Sequence, residues 1–288
     1  MKIVNIIGGL GNQMFQYAFA VALKKRFPQE DVKIDVHLLE SYGLHNGYEL
    51  RRLFDLSLPE AERKDVKGMV MWLPYKYYRI WRRLNLDRRR FNDPYLYSTK
   101  VMEREGNVYY DGIWQDARYF EDACEDVKRE FCFRSELIDA ETEAMCQRMM
   151  SELGAVSIHV RRGDYLLHAN YRGLCGEDYY RRAMDYVKGK VENPRFYIFS
   201  NDMEWCREHL VQFAGDCPCE FIDRNHGIDS FKDLALMSCC STNIIANSSF
   251  SWWGAYLNRH NRPLIVAPAK WTNAENSYER VMEEWIKI

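Results

Sequence analysis

Hydrophobic residues follow two patterns along the chain, short continuous runs and longer segments with apolar residues three or four positions apart. The first run, 2–7, precedes a glycine turn at 8–11, and the next segment places apolar residues on one helical face, namely Met14, Phe15, Ala18, Phe19 and Ala22. Short apolar runs are typical of buried strands, and the wider spacing is typical of helices. The amino-terminal residues therefore predict a strand, a tight turn, a helix at about 12–27 and a second strand at 32–36.

The second half of the chain alternates between the two patterns almost without interruption. It predicts strands at 155–160, 195–200, 220–223, 243–246 and 264–267, and helices at 177–188, 203–213, 230–238, 250–258 and near 275–286. Strands that alternate with helices over such a length are typical of a doubly wound parallel sheet.

The region between these parts is irregular and rich in aromatic residues and arginine up to residue 107. A predicted strand at 108–110 and helices near 117–130 and 136–153 follow it, and Gly154 comes before the regular alternation begins. We therefore predict an α/β protein with two domains, 1–153 and 154–288.

Composition excludes several classes of protein. The chain has 288 residues, 47% of them hydrophobic, which is enough for one or two domains with a full core. Lysine and arginine number 40 against 42 acidic residues, a formal net charge of −2, whereas a general nucleic-acid binder needs a surplus of positive charge. No run approaches the roughly 18 apolar residues of a membrane span. We expect a cytoplasmic protein with no nucleic-acid partner.

The cysteines indicate reduced thiols. There are nine of them, an odd number, with no C-x-x-C pair, and a secreted disulfide framework needs an even and denser set. Cys217 with Cys219 and Cys239 with Cys240 are the pairs closest in sequence, but no histidine lies near either pair to complete a zinc site. The sequence therefore predicts no metal site.

Polar side chains follow three predicted strands of the second half. Arg161, Arg162 and Asp164 come after the first, Asp202 comes after the second, and the turn Asn247-Ser248-Ser249-Phe250-Ser251 comes after the third. Ligands of doubly wound sheets bind beyond the carboxyl ends of the strands. Guanidinium groups donate paired hydrogen bonds to phosphate, and the free N–H groups of a helix start bind anions. These positions predict a nucleoside diphosphate site, with Asp202 placed to accept hydrogen bonds from guanine.

Each of these features also has a purely structural interpretation. Arg162 and Asp164 are spaced for a surface ion pair, Asp202 is placed to cap the next helix, and ordinary capping accounts for one serine of the turn. The chain contains no Asp-x-Asp segment for a metal clamp and no P-loop motif. Those absences favour a phosphate site made of protein groups alone.

The glycine turn near the amino terminus permits a rival interpretation. Gly9-Leu10-Gly11 between a strand and a helix, with Asp35 at the end of the second strand, imitates the NAD-binding fingerprint. Met14 stands where that fingerprint has its third glycine, so it blocks the close approach of helix and strand. We interpret Gly9, Gly11, Asn12 and Gln13 instead as a loop that presents backbone and amide groups to a ligand between the domains.

Three segments resemble signature segments of the bacterial α-1,2-fucosyltransferase family. They are Gly8-Gly9-Leu10-Gly11-Asn12-Gln13-Met14-Phe15-Gln16-Tyr17-Ala18, His159-Val160-Arg161-Arg162-Gly163-Asp164 and Ala246-Asn247-Ser248-Ser249-Phe250-Ser251-Trp252-Trp253-Gly254. The second of them is shared with α-1,6 and protein O-fucosyltransferases. The resemblance implies an α/β, GT-B-type architecture of two Rossmann-like domains facing across a cleft, with GDP-fucose as donor and no metal or other cofactor.

The resemblance also implies roles for single residues. The donor site would comprise His159, Arg161, Arg162, Asp202 and the turn at 247–251, with Arg161 on the diphosphate and His159 and Asp202 on the guanosine. Asn12 would lie near the phosphates or an oligosaccharide acceptor. The implied reaction moves L-fucose from GDP-β-L-fucose to a galactoside hydroxyl with inversion, in α-1,2 linkage. Another linkage, another GDP-sugar, or a nucleotide-sugar-binding protein without turnover stays open. The identity of the acceptor is open as well, since 60–107 match no known pattern.

The catalytic assignment rests on Arg161 and Asp164. Arg161 would stabilise the negative charge that grows on the leaving diphosphate. Adjacent arginines should lower the pKa of Asp164, which makes it a weak base. Asp164 then either takes the acceptor proton late in a dissociative step or only orients an arginine, and Glu177 and Asp178 are more remote candidates for the base.

A basic amphipathic segment extends from Tyr75 to Arg90. It has seven basic residues, Lys76, Arg79, Arg82, Arg83, Arg88, Arg89 and Arg90, against the single acid Asp87, with apolar residues at helical spacing. Such a helix either lies on an anionic membrane, here at its inner face, or packs its apolar side on the domain surface.

Overall fold

The computed structural model describes residues 1–71, 73–84, 86–274 and 280–288. The chain forms two compact units, one of residues 1–134 with Arg280 and one of residues 135–274 with 281–288. The division falls between 134 and 135 and not at the predicted 153 and 154. The reason is that the helix Ala140–Ser151 packs against the helix Phe231–Ser238 of the second unit.

The first unit contains a four-stranded parallel sheet in the order β2-β1-β4-β3. Its described elements in chain order are β1 (Lys2–Asn5), α1 (Leu10–Arg26), β2 (Val32–Asp35), α2 (Leu50–Leu53), α3 (Arg63–Lys67), α4 (Tyr75–Leu84), β3 (Arg90–Asn92), α5 (Thr99–Met102), β4 (Val108–Asp111) and α6 (Cys124–Glu130). Short 3-10 turns occupy His37–Ser41, Ala117–Tyr119 and Glu121–Ala123.

Side chains of the first sheet alternate between two apolar layers, as the period of two in a strand requires. Ile3 and Tyr109 point to the layer that contains Val66 of α3. Tyr110 points to the opposite layer, where its ring centre lies 5.2 Å from that of Phe19 of α1. Helices therefore cover both faces, which explains why β1 and β4 are buried along their whole length.

The second unit contains a six-stranded parallel sheet in the order β10-β9-β8-β5-β6-β7. Its described elements are α7 (Ala140–Ser151), β5 (Ala155–Val160), α8 (Asp164–Leu167), α9 (Glu177–Lys188), β6 (Arg195–Ser200), α10 (Met203–His209), α11 (Val211–Ala214), β7 (Cys219–Ile222), α12 (Phe231–Ser238), β8 (Thr242–Ile244), α13 (Ser249–Tyr256), β9 (Leu264–Ala267) and β10 (Ile286–Lys287), with 3-10 turns at Ser135–Leu137 and Gly227–Asp229.

The two faces of β5 have different neighbours. Val156, Ile158 and Val160 pack with α9 and α10 in one hydrophobic cluster. Ser157 points to the other face, where its hydroxyl accepts a hydrogen bond from Asn243 Nδ2 at 2.7 Å. His159 shares that face by alternation, so its ring lies on the side of the sheet that carries α13.

Four predicted helices differ from the observed structure. The one at 136–153 is a 3-10 turn followed by α7, and the one at 203–213 is divided into α10 and α11. The segment 117–130 contains two 3-10 turns before α6, because Phe120 between them leaves the helical conformation. The predicted helix near 275–286 falls partly on residues 275–279, which lie outside the described residues. Beyond them the chain makes turns and the strand β10, and Trp285 packs its ring 5.5 Å from Trp252. The apolar spacing there reflects packing on α13 and not a helix.

In the portion of the chain that the structure describes, none of the helices is both long enough and apolar enough to cross a bilayer.

Candidate active site

The sheet of the second unit brings three predicted strand ends together. β8, β5 and β6 are parallel neighbours, so the loops that follow them lie side by side at one edge. The chain continues from β5 to β6 and β7 on one side and later returns to β8 on the other. The gap between β5 and β8 is therefore the topological switch point, where ligands of such sheets bind.

The two arginines after β5 each pair with a carboxylate. Arg161 Nη2 lies 3.0 Å from Asp164 Oδ1 and 3.1 Å from its Oδ2. Arg162 Nε donates to Asp202 Oδ2 at 3.0 Å, and its guanidinium lies 4.1 Å from the centre of the Trp205 ring. The ion pair between Arg162 and Asp164 that their spacing suggested does not form. Arg161 is the arginine held by Asp164.

Asp202 stabilises two neighbouring groups. One oxygen accepts from the backbone N–H of Trp205 at 3.3 Å and caps α10, and the other accepts from Arg162. Its interpretation as a helix cap is therefore confirmed. Each carboxylate oxygen has two lone pairs, so Asp202 keeps acceptor capacity, and its contact with guanine stays a prediction.

His159 contributes an unsatisfied polar atom to the switch point. It is 6% exposed, and its Nδ1 has no hydrogen-bond partner among the described residues. Burial, and then the positive charge of Arg161, lower the pKa of His159 to about 3. The imidazole is therefore neutral near pH 7, with one nitrogen as donor and the other as acceptor. Its ring centre lies 5.8 Å from that of Phe250 in the first turn of α13.

The turn before α13 contains side chains that are bonded within the turn and backbone N–H groups at the start of the helix. Ser248 caps the helix by accepting from the Phe250 N–H at 3.4 Å. Ser251 Oγ donates to the Ser248 carbonyl at 3.3 Å, and Asn247 Nδ2 donates to the Trp271 carbonyl at 3.1 Å. Ser251 and Asn247 are buried and hold the turn together, and their direct contact with the donor stays a prediction. The first turn of α13, which includes Ser249, has the free backbone N–H groups and the positive dipole end that suit an anion.

In the first unit, Gln13 clamps the glycine turn after β1. Gly8 has φ of +93°, a conformation that favours glycine. Gln13 Nε2 donates to the carbonyls of Gly8 and Gly47 at 2.8 and 2.7 Å, and its Oε1 accepts from the Glu49 N–H at 3.1 Å. The fully buried amide thus holds the loop together, and contact of Gln13 itself with a ligand stays a prediction. Gly9 and Gly11 form the start of α1, and Gly11 is buried.

Asn12 has a different environment from Gln13. Its Oδ1 accepts from Gln115 Nε2 at 2.6 Å, and Gln115 Oε1 in turn accepts from Arg280 Nε at 2.7 Å. Asn12 also lines a cleft of the first unit together with Gly8.

That cleft lies beyond the carboxyl ends of β1, β3 and β4 and has a volume of about 760 Å³. Its lining combines aromatic, basic, amide and acidic side chains with backbone, from Ile7, Gly8, Asn12, Tyr42, Tyr78, Arg82, Arg83, Asn92, Asp93, Tyr95, Asp111, Gly112 and Ile113. A cleft of this size holds a small molecule of several rings.

The buried carboxylate that lines the cleft has its negative charge balanced by neighbouring side chains. Asp111 is buried, accepts a hydrogen bond from the Tyr78 hydroxyl, and lies 3.5 Å from Arg82 Nε and 3.4 Å from Arg90 Nη1. Burial, and then the negative charge of Asp111, raise the pKa of Tyr78 well above its ordinary value. The cleft therefore presents a protonated phenol beside guanidinium groups.

Sequence reasoning missed Tyr78, Arg82 and Asp111 as members of a site. Asp111 ends β4, so the strand-end rule that found Arg161 applies to it equally. Tyr78 and Arg82 lie four residues apart and share one face of α4. The sequence does not show that these two side chains point into the first unit, because both belong to a uniformly basic and aromatic segment.

The described residues form neither disulfides nor a metal cluster. All nine cysteines have free thiols. Among the residues with described positions, no group of three or more histidine, cysteine, aspartate or glutamate side chains is arranged around a common point for a metal ion.

The sequence of this chain is similar to those of known glycosyltransferases. The sequence profile of Glycosyl transferase family 11 matches residues 1–288. An α-1,2-colitosyltransferase of Escherichia coli is 33% identical over 297 aligned positions, covering 99% of this chain and 98% of that protein. Galactoside α-(1,2)-fucosyltransferase 1 of Homo sapiens is 33% identical over 147 positions, covering 48% of this chain and 40% of the human protein.

A solved structure shows the same fold. NodZ α-1,6-fucosyltransferase from Bradyrhizobium, in a crystal soaked with GDP-fucose, matches with a TM-score of 0.52 and 16% identity, covering 89% of this chain and 91% of NodZ. This likeness, together with the two parallel sheets, confirms the predicted α/β fold class of the GT-B type.

The fold and the strand-end site define a glycosyltransferase. The chain belongs to Glycosyl transferase family 11, and its activity is of the fucosyltransferase type. The resemblance seen in the three signature segments is thereby confirmed.

Proposed function

We propose that the enzyme transfers L-fucose from GDP-β-L-fucose to a galactoside hydroxyl with inversion, in α-1,2 linkage. The observation that carries the proposal is the switch point of the second unit, where Arg161, the neutral His159 and the first turn of α13 follow neighbouring strands. The names of the human relative and of NodZ, with its GDP-fucose, support this donor and linkage.

The diphosphate is bound by charge and by backbone dipole. Arg161 offers a guanidinium that is 30% exposed and held by one ion pair, so it can reorient to a phosphate at small cost. The amino end of α13 adds N–H groups and the positive end of the helix dipole. The unpaired Nδ1 of His159 gives the nucleotide one polar contact that the protein itself leaves unsatisfied.

The chemistry requires stabilisation of the leaving group. The bond between the fucose anomeric carbon and the diphosphate oxygen breaks as the acceptor oxygen attacks from the opposite side. Negative charge grows on GDP as the bond breaks. Arg161 and the amino end of α13 therefore stabilise the transition state more than they stabilise the ground state. The contact of both Asp164 oxygens with Arg161 Nη2 favours an orienting role for Asp164 over that of general base. The acceptor hydroxyl then loses its proton to water late in the step, when most of the bond to the diphosphate has broken.

The acceptor binds in the cleft of the first unit. Tyr42 and Tyr95 offer aromatic faces for pyranose rings, and Arg82, Asn92 and Asn12 offer polar contacts for hydroxyl groups. The volume of about 760 Å³ admits more than one sugar ring.

A second candidate donor is the GDP-activated colitosyl group. The α-1,2-colitosyltransferase of Escherichia coli is similar over the whole chain, whereas the human α-1,2-fucosyltransferase is aligned to about half of it. We place fucose first because NodZ, the matching fold, was soaked with GDP-fucose.

The test is GDP release from GDP-fucose and from the colitosyl donor, with excess EDTA, with and without lactose, followed by mass analysis of the sugar. The proposal expects lactose-dependent release from GDP-fucose and a product one deoxyhexose heavier. Release only from the colitosyl donor would assign the second candidate. Loss of release in EDTA with recovery on added Mg²⁺ would contradict metal independence, and no binding of GDP would contradict the donor site itself.

A further inference from the structure

The helix α4 has two faces with different surroundings. Tyr78 and Arg82 face into the first unit, where the Tyr78 hydroxyl bonds Asp111 and Arg82 Nη2 donates to the Asp111 carbonyl at 3.2 Å. Three apolar side chains at spacings of three and four form a separate row, and their exposed fractions are 50%, 63% and 55% for Tyr77, Ile80 and Leu84. Because Tyr78 and Arg82 attach the helix to the first unit through one face, the second apolar row is left on the solvent side.

The exposed apolar area continues on both sides of α4. Met71 before it and Leu86 after it are 49% and 63% exposed. Single exposed apolar residues are ordinary, but a cluster of five large ones within residues 71–86 is typical of a surface that contacts another phase or partner.

The charges around this row are positive. Lys76 and Arg83, seven residues apart, share a row that borders Ile80, and Arg88 is exposed just beyond the helix. The acid of the segment, Asp87, is already engaged, because it accepts from the Met71 N–H at 3.0 Å and from Trp81 Nε1 at 2.9 Å and pairs with Arg90 at 3.0 Å.

The basic surface is smaller than the sequence predicted. Arg82 and Arg90 point inward to Asp111, and Arg89 donates to the Gly68 carbonyl at 2.5 Å. The side chain of Arg79 lies outside the described part. The exposed cations among the described side chains of this segment are Lys76, Arg83, Arg88 and Arg89, of which Arg89 is held by the Gly68 carbonyl.

We propose that the α4 surface, Tyr77, Ile80 and Leu84 with Lys76, Arg83 and Arg88, docks on an anionic lipid bilayer. An apolar row bordered by cations matches the interfacial region of such a membrane, where acyl chains lie beneath negative headgroups. The alternative packing of the apolar side on the protein surface is excluded for this row by its exposure.

Docking of this surface has a consequence for the acceptor, which rests on the proposed function. Arg83 belongs both to the α4 surface and to the lining of the cleft. The cleft rim therefore lies beside the bilayer, and glycans carried on lipids become the acceptor class that it meets.

The test is co-sedimentation of the full chain with vesicles of phosphatidylcholine alone and of phosphatidylcholine with phosphatidylglycerol. We expect binding to the anionic vesicles, little binding to the neutral ones, and loss of binding as salt is raised, because salt screens the attraction. Vesicle binding is independent of turnover, so its failure is distinguishable from failure of the proposed reaction.

Matched variants locate the surface. The pair Ile80→Glu with Leu84→Glu should abolish binding, and Lys76→Glu should weaken it roughly fivefold or more, since each basic residue near the bilayer contributes about 1 kcal/mol. Leu153→Glu is the control, because Leu153 is 85% exposed in the second unit. Thermal melting checks that every variant is folded. If the double variant does not fold, Lys76→Glu still tests the proposal.

Three results would overturn the proposal. They are no binding of the unaltered protein to anionic vesicles, equal binding to both vesicle types, and equal loss in Leu153→Glu. Sedimentation velocity adds a fourth, because a dimer that dissociates in the Ile80→Glu, Leu84→Glu variant would assign the surface to a second copy of the chain.

Discussion

Arg161 is the residue at the switch point whose loss should affect the reaction most. Arg161→Ala removes the charge that faces the leaving diphosphate, and we expect kcat/KM to fall about 100- to 1,000-fold. Its partly exposed ion pair with Asp164 contributes little to stability, so the melting temperature should change little. Arg181→Ala is the control, since Arg181 also pairs with an aspartate three residues away. Equal losses in both variants would contradict the assignment.

Asp164→Asn separates the two roles left open for that carboxylate. If Asp164 orients Arg161, the variant should bind GDP roughly tenfold more weakly, because one charged hydrogen bond contributes about 1.5–3 kcal/mol. Calorimetric titration with GDP and turnover with GDP-fucose measure the two effects. Unchanged GDP affinity with lost turnover would instead identify Asp164 as the base.

His159 should make stability depend on pH. Its pKa is lowered to about 3 by burial and Arg161, below the value of about 6.5 in an unfolded chain. The neutral ring therefore contributes stability that is present above pH 6.5 and is lost as pH falls towards 3. Urea unfolding of the natural protein and of His159→Gln between pH 7.5 and 4.5 should show the difference shrink by up to about 1.4 kcal/mol per pH unit. A difference independent of pH would contradict the lowered pKa.

At the residue scale, the sequence identifies where the site residues lie better than it identifies which side chains they pair with. Arg161, Asp202 and Ser248 follow strands, and a parallel sheet brings strand ends together whatever the side chains are. Which carboxylate holds which arginine depends on side-chain directions that spacing does not contain. For that reason spacing suggests an ion pair of Arg162 with Asp164, whereas in the structure Asp164 pairs with Arg161.

The turn between β1 and α1 is the element whose stability depends most on one side chain. Gln13→Ala leaves two carbonyls and one N–H of buried loops without partners, at about 1–3 kcal/mol for each group that water does not reach. We expect a lower melting temperature and weaker acceptor binding, since Gly8 lines the cleft. Gln147→Ala is the control, because Gln147 makes an exposed bond to Glu143. Equal melting temperatures for the two variants would contradict the clamp.

Both units contain elements that the sequence predicts closely, and the elements that it does not predict lie mainly in region 37–107 of the first unit. Strands β5, β6 and β9 and helix α9 have the bounds read from the sequence, because a strand buried on both faces must be continuously apolar. The region 37–107 folds into pieces of three to ten residues. Such pieces are too short for a hydrophobic period to appear, and their conformation depends on the sheet beneath them.

At the scale of the whole molecule, the two units should respond separately to the two substrates. We expect GDP to slow amide hydrogen exchange in the loops at 161–165, 201–205 and 247–251, because a ligand stabilises the state that binds it. An acceptor analogue should protect residues 108–113 of the first unit instead. Protection by GDP confined to the first unit would contradict the donor assignment.

The contact between Arg280 and Gln115 has a consequence for synthesis of the chain. Arg280 Nε donates to Gln115 Oε1, and both side chains are buried in the first unit. On the ribosome, residues 1–134 emerge long before Arg280, so this buried hydrogen bond of the first unit can form only after residues 135–279 have been translated. A fragment cut after residue 134 lacks that partner for Gln115, and with it the support for Asn12 at the cleft. The two units are distinct in space, but completion of the first depends on translation of the second.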